Sequence, residues 1–181
     1  GVVANAAVRS VDRIGVTLAD ELLSNQGAAA ITSYIYDTKT GRMLDADITI
    51  DPSLFNGSMN APMALQHEVG HALGLDHSAV LSSIMYPYVG DGDEPADFEL
   101  DDRISIANIY PKHDQTLNGA TLTGRVTGDR GAIFAAQVVA VNDQGQPVGS
   151  VLTNAAGEFS LAAIPAGRYR LYAEPLDGPV D

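Results

Sequence analysis

The hydrophobic positions of this chain change rhythm more than once along its 181 residues. Residues 14–18 and 42–50 alternate apolar with polar, the period of a strand with one buried face. In the second stretch Leu44, Ala46, Ile48 and Ile50 oppose Met43, Asp45 and Asp47. Residues 28–36 are rich in β-branched and aromatic side chains and read as a further strand. A polar turn ending at Gly41 joins it to 42–50 as a hairpin. After the turn-rich residues 51–60 the period becomes helical. Leu65, Val69 and Leu73 recur at four-residue steps, so a helix over 61–73 is expected to bury that row. Asn60 suits its N-cap, and Pro62 is tolerated in its first turn. Asp101 and Asp102 open a second helix, where negative charge suits the helix dipole. From residue 120 short apolar segments recur with turn signals between them, at 121–127, 134–142, 148–153, 158–161 and 169–174. This is the spacing of an all-β sandwich. Apart from the alternation at 14–18, residues 1–22 are hard to assign, with 2–3 and 8–16 open to strand or short helix.

The helix predicted over 61–73 also carries the chain's most specific chemistry. Residues 67–77 read His-Glu-Val-Gly-His-Ala-Leu-Gly-Leu-Asp-His. His67 and His71, four apart, stack one turn apart on a face beside the apolar row. Two imidazoles so placed make half of a tetrahedral zinc site. Gly74 can adopt the left-handed conformation that ends a helix and reverses the chain, which returns His77 as a third nitrogen ligand. Three protein ligands leave the fourth position open for water, as in catalytic rather than structural zinc sites. Glu68 is then placed as general base. Three His, one Glu and one Gly at fixed spacing arise by chance on the order of once in ten million start positions, so surface or core histidines are a poor alternative.

This motif resembles that of the metzincin zinc peptidases, which continue into a Met-turn. Met85, in Ser83-Ile84-Met85-Tyr86-Pro87, stands where that turn belongs. Ser78 after the third His, and residues 98–111 with the Asp101–Asp102 pair, are similar to the matrixin (matrix-metalloproteinase-like) branch, with residues 40–48 close to bacterial members. The resemblance implies an α+β zincin-like (metzincin) catalytic domain with a twisted mixed sheet and an active-site helix. It further implies one catalytic Zn2+ on His67, His71 and His77, Met85 beneath the metal, one of Asp101 and Asp102 bracing the Met-turn from below, and Pro87 and Tyr88 at the substrate pocket. Only 18 residues separate Ile48 from His67, and no His precedes His67, so the second, structural zinc of animal matrixins is not expected. The acidic, Gly-rich residues 89–97 offer carboxylates for Ca2+ but lack EF-hand spacing; a solvated loop rimming the pocket is the preferred reading.

Residues 153–161 and 164–169 resemble the carboxypeptidase-regulatory-like, transthyretin-like β-sandwich. Phe159 and Tyr169 are expected in its small core. The expected organisation is therefore a peptidase domain over 1–111, read as N-terminally incomplete, a linker over 112–119 containing the surface residue His113, and a β-sandwich over 120–181. The sandwich reads as a docking module for a surface or substrate, or as a spacer.

Net charge is −13, and residues 1–117 carry −11 of it. So acidic a surface excludes nucleic acid and anionic membranes as partners and serves solubility. There is no cysteine, so neither disulfides nor cysteine-based latency operate within the chain. No apolar run reaches membrane-span length. The apolar start at Gly1 reads as a processed or trimmed piece of a longer protein, with an extracellular or cell-surface location. Two functions compete. One is a secreted zinc endopeptidase acting on protein or peptide substrates, with 45–50 as an edge strand that binds extended peptide. The other is a surface binding protein whose β-sandwich works beside a weakened peptidase domain.

Overall fold

A computed structural model describes residues 14–19, 28–37, 42–56, 61–88, 97–110 and 119–175. The chain packs as two compact units, residues 1–76 with 88–97, and residues 77–87 with 98–181.

In the first unit β1 (Ile14–Leu18), β2 (Ala30–Tyr36) and β3 (Met43–Ile50) form a mixed sheet in the order β1-β3-β2. β1 runs parallel to β3, with Ile14 opposite Ala46, and β2 runs antiparallel, with Ala30 opposite Ile50. The alternation in β3 places Ala46, Ile48 and Ile50 at 4%, 0% and 2% exposure, whereas Leu44 is exposed. Burying a side chain such as Ile48 contributes roughly 1.5–3 kcal/mol. A 3-10 turn, Pro52–Asn56, adds Leu54 to this core, and α1 (Ala61–Ala72) closes it with Ala64 and Ala72.

Two expectations are corrected here. Residues 45–50 are not an edge: β3 is bonded on both sides, so its backbone donors and acceptors are already used. The buried row of α1 is offset by one residue from Leu65, Val69 and Leu73. Ala64, Glu68 and Ala72 are buried, while Leu65 is 38% exposed. Alanines let the helix approach the sheet closely, and Val69 packs partly buried beside them.

In the second unit residues 77–87 form a loop, followed by α2 (Leu100–Ile109) and seven strands. The strands are β4 (Ala120–Arg125), β5 (Thr127–Gly128), β6 (Gly131–Ala132), β7 (Ala136–Val141), β8 (Pro147–Leu152), β9 (Glu158–Ile164) and β10 (Arg170–Pro175). They form an antiparallel sheet β10-β7-β8, an antiparallel pair β4-β9 and a small β5-β6 hairpin. Ala140 of β7 and Leu161 and Ile164 of β9 share one buried cluster with Ile104 of α2. The second helix is thus packed among the C-terminal strands. Tyr169 flanks this cluster and donates its hydroxyl to the Pro165 carbonyl (2.7 Å). Phe159 instead lies over Gly124, where a Cβ would come within 2.6 Å of the ring. The β8–β9 region turns at Gly157 (φ +75°), and a side chain there would also strike the Val126 carbonyl.

Several expectations lie outside the described residues: the Asn60 cap, the turn at 38–41, the acidic loop 89–96, and the linker with His113. Among the described residues no helix is long and apolar enough to cross a membrane.

Candidate metal centre

The chemistry begins with how α1 ends. Gly74 has φ +92°, the left-handed region that favours glycine. Its N–H donates to the His71 carbonyl (2.9 Å), and the Leu75 N–H donates to the Gly70 carbonyl (3.0 Å). These are the crossed bonds of a Schellman turn. The reversal brings the Leu75 carbonyl back to His71, 2.9 Å from Nδ1. A carbonyl only accepts, so Nδ1 carries the proton and Nε2 keeps its lone pair.

That Nε2 lies 3.1 Å from Nε2 of His67, with the rings edge to face at 88°. A separation of this size suits either an N–H···N hydrogen bond or two nitrogens sharing a cation. Two imidazoles on one tetrahedral zinc, each at about 2.0–2.1 Å, place their nitrogens about 3.3 Å apart, so the pair fits that ion. His77 joins them: the ligand atoms of His67, His71 and His77 all lie within 4.8 Å of one another. His67 is buried, and the other two are partly exposed.

Glu68 is 7% exposed on the sheet-facing side of α1. The Thr32 hydroxyl on β2 lies 2.5 Å from its Oε2 and 2.9 Å from its carbonyl oxygen. One hydroxyl proton serves one acceptor at a time, and the carboxylate is the stronger. Nothing in the sequence singled out Thr32, which stands 36 residues away.

The loop after His77 is held by a buried polar network. Ser78 donates its N–H to the Met85 carbonyl (2.8 Å) and its hydroxyl to Asp101 Oδ2 (2.6 Å). The Ser83 hydroxyl donates to Asp102 Oδ1 (2.5 Å), and the Ile84 N–H to Asp102 Oδ2 (3.2 Å). Asp102 therefore holds the turn that carries Met85, itself 2% exposed. Asp101 takes the loop's other end, together with the Ser150 N–H of β8 (2.6 Å). Burial pushes the Asp101 carboxyl up; the bonds from Ser78 and Ser150 pull the other way, and Asp102 adds to the rise. The sequence offered both aspartates but not this division of labour. Pro87 is half-buried, and Tyr88 is largely exposed at 72%.

A mixed sheet under a helix that carries two imidazoles agrees with a zincin-like α+β class. A family profile described as Matrixin matches residues 8–111, more than half of the chain, and the chain belongs to the matrixin family. Matrixins use zinc. A profile described as Carboxypeptidase regulatory-like domain matches residues 121–176. The chain is similar to Matrilysin of Rattus norvegicus, 41% identical over 61 residues that cover 33% of this chain and 23% of that protein. It is 34% identical to Matrilysin of Homo sapiens over 95 residues, 50% of this chain and 35% of that protein. With Metalloendoproteinase 2-MMP of Arabidopsis thaliana the identity is 44% over 55 residues, 30% and 14% respectively. The chain therefore spans no more than 35% of the length of these relatives. No solved structure matches it.

Proposed function

We propose that this chain is the catalytic part of a secreted zinc metalloendopeptidase, with His67, His71 and His77 as ligands and Glu68 as general base. The observation that carries the reading is the convergence of three histidine ligand atoms within 4.8 Å of one another. Matrixin membership supports it. Bound zinc would polarise the scissile carbonyl and acidify the attacking water. Glu68 accepts that water's proton and passes it to the leaving amine. Thr32, by occupying Oε2, orients the carboxylate and leaves Oε1 for the proton. The His71 Nδ1–H···O=C bond to Leu75 keeps Nε2 available as a donor. Met85 forms the apolar floor, and Pro87 with Tyr88 contributes to the substrate pocket. β2 pairs with β3 alone among the described residues. Its other edge therefore suits an extended peptide backbone by strand addition.

We assign the peptidase domain to 1–111, the linker to 112–119, and an accessory β-sandwich that docks a surface or substrate to 120–181. Digestion of casein or gelatin by the purified chain, with and without a chelator, tests the function. Cleavage that stops with chelation and returns with zinc is expected. Glu68→Gln is expected to retain zinc by elemental analysis yet lose several orders of magnitude in turnover, as removal of a general base and its electrostatics together would cause. Chelator-insensitive inertness of the parent chain would leave the binding-protein reading instead.

A further inference from the structure

Two polar links, one part-buried and one buried and relayed through Asp101, run from the C-terminal strands to consecutive residues at the end of the histidine motif. Gln137 of β7, 5% exposed, has its Nε2 3.3 Å from the carbonyl oxygen of His77. The partner is an acceptor, so the amide must present its NH2 group. Ser150 of β8 donates its N–H to Asp101 Oδ1, and the other oxygen of that carboxylate takes the Ser78 hydroxyl. The Ser150 hydroxyl stands 3.4 Å from that of Ser78.

These groups do more than apolar packing requires. Ile104, Ala140, Leu161 and Ile164 already join α2 to the strands. Burying a carboxyl and an amide adds desolvation cost, which bonds to fixed partners offset, and in some proteins such groups specify one geometry. The geometry specified is that of the His77 carbonyl and the Ser78 side chain next to it. In metal sites, partners that orient a ligand are worth about 10–100-fold in affinity.

We infer that the C-terminal β region is a positioning element for the third metal ligand, with Gln137 holding the His77 carbonyl and Asp101 holding the Ser78 side chain beside it. The inference rests on the reading of His77 as a ligand. It gives the carboxypeptidase regulatory-like domain a role in the metal site itself, beyond that of a spacer or a docking module.

The test is metal binding by the full chain, stripped by chelation and titrated with Co2+ and with Zn2+. Gln137→Met keeps the volume and removes the donor. Asp101→Asn keeps the shape and replaces one acceptor with a donor. Each is expected to raise the metal dissociation constant by roughly 10–100-fold and to move the cobalt absorption spectrum toward that of His77→Ala. Thr153→Val is the control. It removes the bond that the Ala136 N–H donates to Thr153 Oγ1 and the bond that Oγ1 donates to the Ile133 carbonyl, in the same C-terminal region, and no hydrogen bond to residues 77–78 involves it. It should lower the Tm and leave metal affinity and spectrum unaltered. Parent-like cobalt binding by either folded positioning variant overturns the inference and leaves the peptidase reading standing. Equal loss in Thr153→Val also overturns it, since general destabilisation would then suffice. A parent chain that takes up neither ion overturns the metal reading and this inference together.

Discussion

On the proposed reading, Thr32 and Glu68 form the pair on which proton transfer would depend. The bond from the Thr32 hydroxyl to Glu68 Oε2, at 2.5 Å, is charge-assisted when the carboxylate is ionised. Thr32→Val deletes the donor with little change in volume. A lost hydrogen bond of about 1–1.5 kcal/mol corresponds to roughly a tenfold drop in turnover. The expected result is a kcat about tenfold lower with KM and zinc content unchanged, read from steady-state kinetics and elemental analysis. Loss of zinc would show that Thr32 supports α1 instead. The motif alone named His67, Glu68, His71 and His77, because their spacing is meaningful on any helix. It could not name Thr32, whose approach requires β2 to lie against α1.

At the scale of elements, the end of α1 does the most with the fewest residues. The Schellman turn at Gly74 sets both the Leu75 carbonyl that orients His71 and the chain reversal toward His77. A Cβ at residue 74 would meet only Met43 Cε, at an ordinary 3.8 Å, so the cost of Gly74→Ala is backbone strain and not collision. An L-residue held in the left-handed region costs about 1–2 kcal/mol. Denaturant unfolding of Gly74→Ala is therefore expected to show that loss, accompanied by weaker zinc binding. An unchanged midpoint would mean that the turn relaxes freely. Periodicity placed α1 within a residue of its observed end and found Val69, which packs against the core, but put Leu65 inside, where it is exposed. Pattern weighs side-chain area, whereas the sheet selected the row of alanines that lets the helix approach. Strand positions were legible in the same way. The order β1-β3-β2 was not, because alternation marks a buried face and says nothing about which neighbours a strand acquires.

Across the whole molecule, the buried Asp101 ties stability to pH. The Asp101 carboxyl is held above its usual range, chiefly by burial. The folded state therefore holds that proton more tightly than the unfolded chain, whose value is about 3.9. The resulting stabilisation is complete below the unfolded value and is lost as pH rises through the folded one. Asp101→Asn cannot titrate, so the stability of the parent relative to this variant should fall as pH is raised from about 4 toward neutrality. Melts in chelator, which removes any contribution from metal release, measure this. A difference that stays constant with pH would contradict the assigned burial effect. The family profiles divide the chain near residue 111–121, while compact packing places 77–87 and α2 with the C-terminal strands. Profile boundaries follow sequence similarity along the chain, and packing follows whichever apolar surfaces meet.

The sequence by itself determined what depends on near neighbours. The four-residue step puts His67 and His71 on one helical face, Gly74 reverses the chain, and His77 lies close enough behind to return; helix geometry and a single positive φ make these local consequences. Only the tertiary structure decided what depends on remote ones. It chose the face of α1 that meets the sheet, made β3 central, and brought Thr32 to Glu68 and Gln137 to His77 across 36 and 60 residues. Hydrogen bonds at such separations form only after apolar packing has brought the two backbones together, and no local pattern records that meeting.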